Sequence, residues 1–172
     1  MSYARKGTDR LEDPSRWVRA ASARSLGRAG PVSEPVLDAL GERLDDEPLV
    51  RLIALQSLAL LGAEPDRVLP PLLEALRGPD EAHRATASYT LAQMGENARA
   101  ALPALMDALG DESLRVRSNA AVALDALDPS LRDSSPELRA ILEQASAGSP
   151  FGPGDAAVPG GNSALDAQHR RR

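Results

Sequence analysis

The chain repeats itself four times, and that repetition limits its fold more than any other feature. VRAASARSLGRAG from Val18, VRLIALQSLALLG from Val50, HRATASYTLAQMG from His83 and VRSNAAVALDALD from Val116 align without internal gaps. Their starts lie 32, 33 and 33 residues apart. In every copy arginine follows the first residue, and leucine falls eight positions after it, at Leu26, Leu58, Leu91 and Leu124. Three copies close on glycine (Gly30, Gly62, Gly95), and the fourth has Asp128 there. A period of this length marks a unit too small to bury its own apolar side, so neighbouring copies must stack.

Numbering the first residue of each copy as position 0, apolar residues fall at 0, 3, 4, 7, 8 and 11, the stripe of an amphipathic helix. An acidic turn precedes each copy: Asp13-Pro14, Asp45-Asp46-Glu47-Pro48, Pro79-Asp80-Glu81 and Asp111-Glu112. A carboxylate there is expected to cap the helix and meet the positive end of its dipole. Between copies run VLPPLLEAL and ALPALMDAL, and SPELRAIL follows the last, each reading as a second helix. Composition agrees. Apolar residues make up 42% of the chain but aromatics only 2%, so the core must be Leu, Ala and Val, and Leu and Ala are strong helix formers.

The stretch ALPALMDALGDESLRVRSNAAVALDAL (101–127) resembles the short HEAT-like repeat of the phycobilisome-lyase type. In that pattern Pro-Ala-Leu opens the first helix, and Asp followed by Val-Arg opens the second. The resemblance spans roughly residues 11–142. It implies an all-α fold: a right-handed α-solenoid, or alpha-alpha superhelix, of about four HEAT-like helix pairs. It also implies a ladder of Asp13, Asp46, Asp80 and Asp111 with Arg19, Arg51, Arg84 and Arg117, linking adjacent repeats. The Asp-to-Arg spacing is six in the first and last copies, five in the second and four in the third, so the middle rungs depart from the pattern. His83 stands where the other copies have Val and reads as a residue at the core edge.

The domain limits follow from where the pattern stops. Gly7 and Thr8 stand where a partner helix for the first copy needs apolar residues, so residues 1–11 read as a frayed segment. The solenoid occupies 12–146, closed by Leu138, Ile141 and Leu142. The tail 147–172, rich in Gly, Pro and Ser and without periodicity, reads as disordered.

Little in the sequence points to chemistry. Cysteine is absent, and His83 and His169 are the only histidines, too few for a multi-histidine metal centre. No His-Glu pair, phosphate loop, nucleophile elbow or dinucleotide fingerprint occurs. The reading is therefore a non-catalytic protein without cofactor or metal. Net charge is −5, although residues 1–28 carry +4, which weighs against nucleic acid as partner. The absence of any membrane-length apolar run points away from a membrane, and cytoplasm is the expected location.

What remains is protein binding, as a scaffold or adaptor within a larger chain or complex; the runner-up is a subunit of a bilin lyase or related modifying enzyme. The resemblance places the second helix of each pair on the concave face. Positions 2, 5, 6 and 9 point away from the apolar stripe, and there Leu52, Leu55, Tyr89 and Val122 stand out, with Arg24 and Gln56 alongside. Two readings stay open for this stripe: an exposed docking surface, or residues hidden by packing between neighbouring helices.

Overall fold

The structure, a computed structural model, describes residues 7–29 and 33–148. Four long helices carry the four copies: α1 (Arg16–Ala29), α3 (Pro48–Leu60), α5 (Glu81–Met94) and α7 (Leu114–Leu127). Between them lie α2 (Glu34–Gly41), α4 (Pro65–Leu76) and α6 (Leu102–Asp107). The chain then closes with α8 (Leu131–Ser134) and α9 (Pro136–Gly148). No strand occurs among the described residues. The long helices stack in chain order as one layer, α1 on α3, α3 on α5 and α5 on α7. In the second layer α2 packs on α3, α4 on α3 and α5, α6 on α7, and α9 covers the far side of α7. This is the α-solenoid that the repeat demanded.

The repeated leucine forms the core: Leu58, Leu91 and Leu124 are fully buried and Leu26 nearly so. Leu40, Leu72, Leu105, Leu109 and Leu138 close over them from the second layer. Burial of each such side chain contributes about 1.5–3 kcal/mol. The glycine ending the second copy has a local reason. Gly62 adopts φ +73°, the Gly62 N–H donates to the Ala59 carbonyl, and the Ala63 N–H donates to that of Leu58. These two bonds form a Schellman stop, which needs a left-handed residue that glycine supplies without strain.

Two expectations need correction, and a third falls outside the described residues. The frayed segment 1–11 is ordered where it is described: residues 7–9 are helical, Leu11 is buried, and the segment lies on α1. Gly7 packs closely there, since a Cβ on it would come within 2.7 Å of the end of the Leu26 side chain. The tail expected to be disordered lies, beyond Gly148, outside the described residues. Finally, of the four turn acids only Asp80 caps its helix, accepting the His83 N–H at 2.9 Å. Asp13 and Asp111 instead accept the N–H two residues on, and Asp46 accepts that of Glu47.

Freed from capping, Asp46 and Asp111 hold the ladder. The Arg19 guanidinium grips both oxygens of Asp46 in the next copy, at 2.8 and 2.7 Å. The Arg84 guanidinium does the same to Asp111, at 2.8 and 3.2 Å, and adds Glu112 at 3.0 Å. Arg19 and Arg84 also donate to carbonyls of their own preceding turns. The rung between the second and third copies is missing: Asp80 is occupied as a cap, and Arg51 reaches only Glu74, at 4.0 Å.

A candidate interaction face on the long helices

Two hydrogen bonds fix how the long helices are turned. The Ser57 hydroxyl, at position 7 of the second copy, donates to the Ala23 carbonyl, at position 5 of the first. The Asn119 amide, at position 3 of the fourth copy, donates to the Ala85 carbonyl, at position 2 of the third. Positions 2 and 5 therefore face the next long helix, and positions 3 and 7 face the previous one. With positions 4 and 8 in the core, the open side of each helix is at positions −1, 6 and 10.

Every residue at those positions is at least partly exposed. Trp17, Leu49, Ala82 and Arg115 form one row across the four helices; Arg24, Gln56, Tyr89 and Val122 form the second; Arg28, Leu60, Gln93 and Ala126 form the third. The expected site residues thus divide. Arg24, Gln56, Tyr89 and Val122 share the middle row, and Val122 is 50% exposed. Leu52 and Leu55 are buried, at 9% and 1% exposure, and do not belong to the open face. They sit at positions 2 and 5, which the following helix covers, so packing between helices accounts for them.

Sequence reasoning missed Trp17, 62% exposed, and Leu60, 48% exposed. The signal was available. Both lie on the same helical stripe as the middle row, but that stripe is identifiable only once the direction of stacking is known. The Arg16 guanidinium rests over the Trp17 ring, 5.0 Å from its centre, and also pairs with Glu47 at 3.3 Å. The Tyr89 hydroxyl accepts from the Gln93 amide at 2.9 Å, which holds both side chains along α5.

The electrostatics of the long helices differ from those of the chain. They hold eight arginines against two carboxylates, Glu81 and Asp125. Arg19 and Arg84 are committed to the ladder, and the hydrogen bonds they donate to Asp46 and Asp111 hold their guanidinium groups above the ordinary range. Arg117 donates to the Asp111 and Glu112 carbonyls. Arg24 and Arg28, one turn apart on α1, form no ion pair among the described residues. Partial burial and then the neighbouring Arg28 charge lower the Arg24 pKa.

Among the described residues no three His, Asp or Glu side chains are placed to share a metal ion, and no helix there is long and apolar enough to cross a membrane. His83 is half-buried, 3.9 Å from the Asp80 carboxylate.

Comparison with known proteins agrees with this architecture. The family profile for HEAT repeats matches residues 69–149. Among solved structures, the chain is similar to the complex of CpcE and CpcF of phycocyanin lyase from Nostoc sp. PCC7120. Identity is 19% and the TM-score 0.57, over 88% of this chain and 73% of that one. No curated protein sequence gives a significant match. Four stacked copies, the Arg–Asp rungs at two of their junctions and the family match together make this chain a HEAT-like repeat protein.

Proposed function

We propose that the chain is a non-catalytic protein-binding module whose partner docks across the open face of α1, α3, α5 and α7. One observation carries this reading. Among the described residues, three of the five large apolar side chains that stand exposed, Trp17, Leu60 and Val122, lie on this one face, with the Tyr89 ring between them. Clustered exposed apolar and aromatic groups on a rigid surface are the usual make-up of a docking site. Arg24, Gln56, Tyr89 and Val122 would contribute contacts, and Trp17 and Leu60 would join them.

The test is the double variant Tyr89→Asp, Val122→Asp. In the free protein both carboxylates stay in water, whereas in a desolvated contact they would be buried without partners, at a cost of several kcal/mol. The variant should keep its helical spectrum and melting temperature and lose the protein that the wild type retains. Unchanged retention would move the site to another surface.

A second reading, a subunit of a bilin lyase or related modifying enzyme, is favoured by the likeness to the phycocyanin lyase complex. A coloured tetrapyrrole or a lyase-type subunit purifying with the native protein would support it. An uncoloured assembly partner would support the first.

A further inference from the structure

We infer that the partner presents an acidic, amphipathic peptide segment, and that Arg24 and Arg28 receive its carboxylates beside the apolar platform of Trp17, Leu60, Tyr89 and Val122. This rests on the docking face proposed above and adds the chemistry of what docks. The twelve residues of that face include three cations, Arg24, Arg28 and Arg115, and no carboxylate. The chain as a whole has 25 acids against 20 Lys and Arg. Its acids are concentrated elsewhere: the second-layer helices α2, α4 and α9 carry Glu34, Asp38, Asp66, Glu74, Glu137 and Glu143. A surface kept free of negative charge in an acidic molecule is complementary to a negative ligand, and such complementarity speeds encounter and rejects wrong partners.

Geometry narrows the ligand. Arg24 and Arg28 are one turn apart on one side of α1, and Trp17 lies two turns before Arg24 on the same stripe, so the three span about 16 Å. Leu60 and Gln56 occupy the same rows on α3. Nearby carboxylates are otherwise engaged: Glu47 pairs with Arg16 and Arg19, Asp125 pairs with Arg132, and Glu81 accepts from the Ser113 hydroxyl. A guanidinium that is partly buried and beside a like charge gains most from an incoming carboxylate, which it can bind through two parallel N–H groups. Nucleic acid fits less well. Its affinity comes from neutralising many phosphates, and here three cations are spread across a face that is otherwise largely apolar.

Trp17 is the only tryptophan in the chain, so its fluorescence reports on this face directly. The probe is a synthetic helical peptide of Glu and Leu, compared with the same peptide carrying Gln for Glu, both titrated into the full chain. The Glu peptide should shift Trp17 emission saturably, and the Gln peptide should bind about tenfold more weakly, the loss expected when charge-assisted hydrogen bonds are removed. Arg24→Gln with Arg28→Gln should give a similar loss. Arg28→Gln alone, at an exposed site, should give part of it without disturbing the fold. Arg10→Gln with Arg77→Gln, which removes the same charge elsewhere, should change nothing. Equal binding of both peptides, no effect of the Arg28 change, no shift with the Glu peptide, or tighter binding of a single-stranded oligonucleotide would each overturn the inference. If the Gln peptide binds as well and Tyr89→Asp with Val122→Asp abolishes it, the docking face stands and only its acidic preference fails.

Discussion

The junction between α1 and α3 and the junction between α3 and α5 are built from the same repeat, yet they are held in different ways. At the first, positions 2 and 5 are Ala20 and Ala23, and the helices come close enough for Ser57 to donate to a backbone carbonyl. Gly27 is part of this closeness, since a Cβ there would lie 2.6 Å from that of Ser57 and 2.9 Å from its Cα. Arg19 and Asp46 then tie the two copies. The junction of α5 with α7 follows the same plan, with Ala85 and Ser88 at positions 2 and 5, the Asn119 bond and the Arg84–Asp111 rung. At the middle junction those positions are Leu52 and Leu55. No hydrogen bond joins α3 to α5 among the described residues, and their backbones approach each other less extensively than at the other two junctions. Small residues allow close backbones and polar ties, whereas large ones keep helices apart and join them by apolar contact. The middle seam is thus joined by apolar contact alone among the described residues, between two pairs that also carry polar ties.

The most severe way to break this contrast is to empty the middle seam. Leu55→Ala should cost about 2–5 kcal/mol, because the seam has no polar tie to fall back on and the cavity collapses only in part. Urea unfolding measures it; a loss below 1 kcal/mol would mean that Leu55 is not what joins the pairs. At the tight junction the opposite change is harmful. Gly27→Val should cost about 1–3 kcal/mol through overpacking against the Ser57 backbone. A neutral result in the same unfolding measurement would show that α1 and α3 are free to separate.

These residues also show how far the sequence was legible. The repeat period, the buried leucines and the all-helical stacking followed from spacing alone, because every copy must satisfy the same core. The open face did not follow. Leu52 and Leu55 stood out against Ala and Ser in the other copies, and size alone does not say whether a residue is exposed or fills a wider gap. That depends on which side of the helix meets the next copy, a tertiary fact revealed here by Ser57 and Asn119. Trp17 and Leu60 were overlooked for the same reason. The segment 7–12 was missed as well, because it has too few apolar residues to be recognised as the partner of α1.

Acid should distinguish the tied junctions from the untied one. The Arg19 hydrogen bond, outweighing the upward push of burial, holds the Asp46 carboxyl below its ordinary range. Burial pushes Asp111 up, but the Arg84 bond and the Ser113 N–H together bring it below that range as well. A group with a depressed folded pKa binds its proton more readily when unfolded. Its contribution to stability is therefore present above the unfolded value, ~3.9, and is lost as pH falls through the folded one. Melting temperature should drop as pH is lowered from about 5 towards 2. The drop should be shallower in Asp46→Asn with Asp111→Asn, which has already lost both rungs at neutral pH. Parallel curves for the variant and the wild type would show that the rungs do not set acid stability.

The smallest effect asks why the middle rung is missing, whether through register or through width. Asp46 sits at position −4 of its copy and meets Arg19. In the third copy position −4 is Pro79, and the acid has moved to position −3, where Asp80 caps α5. Pro79→Asp would return a carboxylate to the position that works one junction earlier, with the cap left in place. The Pro79 carbonyl that accepts from Arg84 is a backbone group and survives the change. Arg51 is 35% exposed and now only grazes Glu74, so a new pair should be worth what surface pairs are worth, about 0.5 kcal/mol. A double-mutant cycle with Arg51→Ala isolates that coupling from the stiffness lost with the proline. Coupling of this size would show that one displaced residue broke the rung. Zero coupling would assign the break to Leu52 and Leu55, which would then hold α3 and α5 too far apart for any carboxylate on that turn to be reached.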